Sequence, residues 1–435
     1  MGFVRKCRMA VLTLCLLLGL AGCSTSQETA IETQIAITPE TLPVPLETLA
    51  ETVPAETVPA EVTEPEPEPE PVAAYIDAGV RITLDGSDIT RQMREPGYRK
   101  VAEIRPNQTR AVESEEAFSA LYVEWDSHPG SFTLVWEDGS LDCGEDGFLH
   151  DYIRLPEAVT GLTFQFQEEG KHRVGRLDVF TYGTAPEGVQ DWQLPCETAD
   201  ILVFPTHADD DTLFFGAVIS YYAIEKGLTV QTAFLTDHYY EPFRNHERLN
   251  GLWEMGVRHY PILTKARDYS TKSLKEAEIF HRNDGLLEWQ VEQIRRFEPL
   301  VILGHDIEGE YGHGQHKLNT HYLIQAVELA ADEAQFPESA QQYGLWDAPK
   351  LYLHLYEENR ITFNVNTPME QDASGRTPFE VAQDAYLCHV SQQKYSYCVS
   401  QDPNSAMDCT HFGLYRTLVG YDTGNDLMEH TTRDS

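Results

Sequence analysis

From Ala74 to about Trp192, apolar and polar residues alternate in short runs: GVRITL, SALYVEW, SFTLVW, HDYIRL, LTFQFQ and GRLDVFTY. Gly, Pro, Asp and Asn separate them. A period of two turns one face of each run toward a core and the other toward water, which predicts an antiparallel β-sandwich. After LPCETAD the rhythm changes. ILVFPT is a continuous apolar run, as a strand buried on both faces requires, and TLFFGAVISYYAIEKG has a helical period ending at Gly227. LTVQTAFLTD predicts a second strand, NHERLNGLWEMGV a helix, HYPIL a short strand, and LLEWQVEQIRRFEP a helix stopped by Pro299. PLVILGHD, HKLNTHYLIQAVELAADEA and KLYLHLY continue as strand, helix and strand.

Strands alternating with helices predict an α/β fold: a Rossmann-like, mostly parallel sheet with helices on both faces, preceded by the small all-β sandwich. The chain opens differently, with MGFVRKCRMAVLTLCLLLGLAGC. Basic Arg5, Lys6 and Arg8, an apolar run too short for a bilayer and small residues before Cys23 predict a secretory signal over residues 1–23. LAGC resembles a bacterial lipobox, which implies lipid on Cys23 and an extracytoplasmic, membrane-anchored lipoprotein. In residues 24–73 glutamate is the only charged type, amid Pro, Thr and Ala, so the segment reads as an extended, disordered tether. That leaves residues 74–195 for the sandwich, an accessory module, and 196–435 for the α/β domain.

The formal charge of −38 argues against nucleic acid as a partner, since like charges repel. Cys143, Cys196, Cys388, Cys398 and Cys409 are too scattered for a zinc ribbon. Export permits disulfides, and Cys398 with Cys409 is the first pair to consider.

Chemistry concentrates in two places. FPTHADDDTLFF, residues 204–215, sets His207, Asp209, Asp210 and Asp211 directly after a predicted strand, at the sheet edge where ligands bind. The acids also precede a helix, whose N-terminus favours carboxylates, so capping is the plain alternative; a cap, however, uses one acid. HDIEGEYGHGQH, residues 305–316, follows another predicted strand and carries His313 and His316 as the next helix begins. His305 and Asp306 lie at the same edge.

These residues resemble the PIG-L/LmbE-type N-acetylglucosaminyl de-N-acetylase family. Its first motif, HPDDE, is matched by His207-Ala208-Asp209-Asp210-Asp211, and its second, YGHPDH, by Tyr311-Gly312-His313-Gly314-Gln315-His316. RNHERLNGLWEMGV and AYLCHVSQQ, which contains His389, add support; the resemblance covers roughly Asp200 to Gln393. It implies Zn²⁺, or another divalent metal, held by His207, Asp210 and His316. Asp209 would be the general base, with His313 and Tyr311 stabilising the oxyanion. Arg244, His305 and His389 are candidate substrate contacts. Two imidazoles, one carboxylate and an open position are independently a catalytic zinc arrangement.

Three positions depart from the motifs. Ala208 replaces proline; Asp211 replaces Glu and is one methylene shorter; Gln315 replaces an Asp expected to keep His313 protonated, a task then left to Asp306 or Glu308. The implied function is a zinc-dependent hydrolase that removes the N-acetyl group from an N-acetylglucosamine-type sugar or glycoconjugate outside the cytoplasm. Alternatives are a surface carbohydrate-binding lipoprotein with a vestigial metal site, and a metal-dependent amidase or esterase on another substrate. The β-module's layout resembles galactose-binding-like (discoidin-type) modules, which implies sugar binding there.

Overall fold

The computed structural model describes residues 69–94, 101–105, 108–167 and 171–433. The signal, Cys23 and nearly all of the proposed tether lie outside the described residues. Glu68–Ser435 forms one compact unit. The chain has a mixed α/β architecture built on two sheets.

The first sheet contains β1 (Arg81–Leu84), β2 (Ser87–Asp88), β3 (Ala102–Ile104), β4 (Arg110–Trp125), β5 (Phe132–Trp136), β6 (Gly139–Cys143), β7 (His150–Phe166) and β8 (His172–Phe180). Every pairing is antiparallel. Hydrogen bonding joins all eight strands into one sheet rather than the two separate sheets of the expected sandwich. The reason is the length of β4. Its first residues pair with β1 and with the end of β7; residues 120–125 pair with the start of β7 and with β8. Irregular register at residues 113–120 bends the strand between these two sets of partners. Trp125, Phe132 and Phe164 pack together in the buried core, with ring centroids 5.2 Å apart for Trp125–Phe132 and 5.7 Å for Phe132–Phe164.

The second sheet contains β9 (Ile201–Val203), β10 (Val230–Phe234), β11 (Ile262–Leu263), β12 (Val301–Gly304), β13 (Lys350–His354), β14 (Arg360–Thr362) and β15 (His411–Thr417), in the order β11-β10-β9-β12-β13-β15-β14. The first five run parallel; β15 is antiparallel to both neighbours. β9, β10, β12 and β13 are buried at every position, which explains the continuous apolar runs of β9 and β12. The chain leaves β9 toward β10 and later returns to the other side of β9 as β12. The order therefore reverses between β9 and β12, and the crevice past their carboxyl ends is where such sheets bind ligands.

The two sheets meet through aromatic and polar contacts. Phe148 stacks on Tyr260 with centroids 4.7 Å apart, and the Tyr260 hydroxyl accepts from Leu149 N–H at 3.0 Å. No helix among the described residues is long and apolar enough to cross a membrane. The five described cysteines are free thiols: Cys409 is buried and Cys398 exposed, so the pair considered above is not bridged.

Candidate active site

The loop after β9 runs straight into the short helix Asp210–Phe214, and the loop after β12 leads to the helix Gly314–Leu329. Both helices start at the crevice. None of the aspartates acts as a helix cap: Asp209 occupies the N-cap position with no side-chain capping bond. Asp210 folds back instead, its Oδ2 accepting from Thr206 N–H at 3.1 Å and His207 N–H at 2.7 Å. This holds the carboxylate in place before any ligand arrives.

His207 Nδ1 lies 2.9 Å from His316 Nε2, and Asp210 Oδ2 lies 3.3 Å and 3.1 Å from those two nitrogens. Three donor atoms from two distant segments of the chain thus share one point. All three residues are buried. Burial opposes the charge on Asp210, yet His316 and His207 hold its carboxyl well below the usual range. Such a set suits a small divalent cation with nitrogen and oxygen ligands. The outer nitrogen of His207 is held in turn: Nε2 lies 3.1 Å from Gln315 Oε1 and 3.5 Å from Asp268 Oδ1. A ligating imidazole commonly makes a contact of this kind through its far nitrogen.

Gln315 therefore serves His207. Its Oε1 also accepts from Tyr269 N–H at 3.0 Å, and its Nε2 donates to the Arg267 carbonyl at 3.1 Å. Neither Asp306 nor Glu308 takes over at His313. Asp306 accepts from Glu308 N–H, and Glu308 pairs with Lys317 at 3.4 Å. His313 Nδ1 is buried without a partner. Burial and the imidazoles of His207 and His316 push the His313 pKa down to about 3, so the ring is neutral.

Asp209 is buried beside this point, and its carboxylate accepts from Arg244, itself buried in the helix Phe243–Glu254. Burial pushes the Asp209 pKa up, while Arg244 pulls it back. Arg244 also lies 4.0 Å from Asp268. His305 is fully buried behind the ligand set. Its Nε2 receives Thr206 N–H at 3.1 Å, and its Nδ1 faces Glu310 at 3.1 Å. Its Nε2 also lies 3.4 Å from Asp210 Oδ2, and Asp210, His305 and His316 form a further group of donor atoms close enough to share an ion. His389 is buried with neither ring nitrogen hydrogen-bonded. Tyr311 stands at the mouth, 46% exposed, and stacks on Tyr397 at 5.4 Å. It takes a left-handed φ of 45°. Burial and the charges of Asp210 and Asp209 keep its hydroxyl protonated. Asp211 is fully buried, and neither of its oxygens has a hydrogen-bond partner.

Asp268 and His238 were not singled out from the sequence. His238 Nε2 accepts from Ala208 N–H at 3.2 Å, and Nδ1 faces Asp268 at 3.8 Å. Both residues lie just past the ends of β10 and β11, so the edge rule that flagged His207 would have found them.

No family model matches the chain. Among curated proteins, a 1D-myo-inositol 2-acetamido-2-deoxy-alpha-D-glucopyranoside deacetylase of Streptomyces avermitilis is 26% identical over 178 residues, 35% of this chain and 60% of that protein. Deacetylase 1 of the same description from Catenulispora acidiphila is 25% identical over 226 residues, 46% of this chain and 69% of that protein. The chain thus spans less than two thirds of the first relative's length. Among solved structures, N,N'-diacetylchitobiose deacetylase from Pyrococcus horikoshii aligns at 18% identity with a TM-score of 0.35, covering 46% of this chain and 74% of that one. The curated relatives agree with the reading of the two motifs: the chain is similar to the LmbE-type de-N-acetylases.

Proposed function

We propose that the chain is a metal-dependent hydrolase that removes the acetyl group from an N-acetylglucosamine-type sugar or glycoconjugate, anchored outside the cytoplasm through lipid on Cys23. One observation carries the catalytic part: the donor atoms of His207, Asp210 and His316 converge, with the carboxylate of Asp209 beside them. The deacetylase relatives support the substrate class, and the signal-like first 23 residues support the location.

His207, Asp210 and His316 would hold zinc, which when bound supplies Lewis acidity and lowers the pKa of water from 15.7 to about 7. Asp209 takes the proton from the attacking water, and Arg244 keeps that carboxylate ionised and fixed. Negative charge then grows on the acetamide oxygen. The Tyr311 hydroxyl, kept protonated by its surroundings, and a neutral His313 N–H are the donors available to it. A donor aimed at such an oxyanion contributes about 3–4 kcal/mol to the transition state. A neutral His313 has no proton to spare for the departing nitrogen, so the proton that Asp209 has taken from the water is the one delivered there.

The test is acetate release from N-acetylglucosamine oligomers, with Asp209→Asn compared at equal zinc content. Turnover in the native chain and a loss of at least about a hundredfold in the variant support the mechanism. Equal turnover in both removes Asp209 as base. Sugar binding without acetate release would favour the vestigial-site alternative, and activity confined to other amides or esters would favour the third.

A further inference from the structure

A second cluster of metal-ligating side chains lies away from the crevice, where the antiparallel sheet meets the α/β part. Glu124 on β4, His150 at the start of β7 and His246 on the helix Phe243–Glu254 each offer a donor atom, all within 4.8 Å of one another. All three residues are buried. His150 Nε2 is 2.7 Å from His246 Nδ1.

The hydrogen-bond pattern around the pair fixes where the protons are. Gln190 Oε1 accepts from the indole N–H of Trp192 at 2.9 Å, and Gln190 Nε2 donates to Asn250 Oδ1 at 2.6 Å, so the orientation of that amide is set. Gln190 Oε1 also lies 2.6 Å from His150 Nδ1. An amide oxygen only accepts, so His150 Nδ1 carries the hydrogen and its Nε2 presents a lone pair to His246. His246 Nε2 lies 3.9 Å from Asp126 Oδ1, and a carboxylate near that nitrogen favours the tautomer with hydrogen on Nε2 and a lone pair on Nδ1. In that tautomer both inner nitrogens offer lone pairs, and a cation beside them takes the place of a shared hydrogen. Each outer nitrogen then faces an oxygen, as ligating histidines usually do. Arg176 occupies one side of Glu124, contacting Oε1 at 3.2 Å, and the carboxylate has a second oxygen for a ligand.

We propose that Glu124, His150 and His246 form a second divalent-cation site, of zinc type by its two imidazoles and one carboxylate, that clamps the antiparallel module to the α/β part. It shares no residue with the catalytic centre and does not rest on the deacetylase reading.

The experiment uses the full chain carrying Asp210→Ala and His316→Ala, which removes two of the three catalytic ligands. Zinc is added and excess removed by dialysis; zinc per chain is then measured by elemental analysis. About one equivalent is expected to remain, and His150→Gln or His246→Gln added to that background is expected to release it. Adding zinc to the metal-stripped Asp210→Ala/His316→Ala chain is expected to raise its melting temperature by several degrees, because a ligand that binds only the folded state stabilises it. That measurement leaves the His150–His246 pair intact and so does not depend on the glutamine variants folding. A folded Asp210→Ala/His316→Ala chain that retains no zinc and shows no shift overturns the proposal. So does zinc that persists through both glutamine changes.

Discussion

Arg244 donates to the carboxylate of Asp209 in a pocket where both side chains are about nine-tenths buried. Burial pushes the Asp209 pKa up, and the guanidinium is the main group opposing that. Arg244→Ala should therefore raise the Asp209 pKa and move the acid limb of the kcat/KM profile to higher pH. At neutral pH the expected loss is about a hundredfold, partly recovered in alkali. The variant should also be less stable by roughly 3–5 kcal/mol, because a buried charge is left without its partner. Lost activity with an unmoved limb would mean that Arg244 contacts substrate without tuning the base.

Gln315 fixes His207 through Nε2 at 3.1 Å. Gln315→Leu keeps the bulk and removes the acceptor. Loss of an outer contact on a ligating histidine commonly weakens metal binding about 10–100-fold. Chelator competition measures this directly, and unchanged zinc retention would confine Gln315 to bracing the loop around Tyr269 and Arg267.

Asp211 is the buried acid that the metal reading does not use. Burial pushes its carboxyl well above the usual range; Arg248 pulls it down, and Asp209 and Asp210 push it up further. A carboxyl whose folded pKa is raised supports the fold below its unfolded value of about 4, and that support is lost as pH rises. Asp211→Asn should abolish this dependence and stabilise the chain at neutral pH by about 1–3 kcal/mol. Arg248 retains the charge of Asp237 nearby. Denaturant midpoints at pH 5 and pH 8 check the sign: the gain must be larger at pH 8.

Much of the site was legible because both motifs directly follow continuous apolar strands, and β9 and β12 flank the point where the strand order reverses. The strand edge located the two motifs, and the resemblance to the de-N-acetylase family singled out His207, Asp210 and His316 within them. Arg244 was harder to place. A lone arginine in a helix reads as exposed, and only its partner Asp209 makes burial tolerable. That Gln315 braces His207 was not legible, because adjacency in a motif says nothing about side-chain direction at a helix start. The pairing of the antiparallel module was not legible for a similar reason: alternation marks strands but does not reveal that β4 serves two sets of neighbours. His150 and His246 lie 96 residues apart, and no local pattern links them.

His389 gives a stability prediction with a defined pH window. It is fully buried, neither nitrogen is hydrogen-bonded, and burial with Arg244 and Arg248 nearby pushes its pKa down to about 3. In the unfolded chain a histidine titrates near 6.5. Below that pH the unfolded state binds a proton that the folded state refuses, so stability is complete above about 6.5 and falls as pH drops toward 3. The slope from this one group is about 1.4 kcal/mol per pH unit. His389→Gln carries no such proton. Its stability, measured by urea unfolding from pH 7 to pH 4.5, should decline less steeply than that of the native chain by this amount. The two curves should therefore converge, or cross, on the acid side. Parallel curves would mean that His389 is protonated in the folded protein, with an anion or water paired to it.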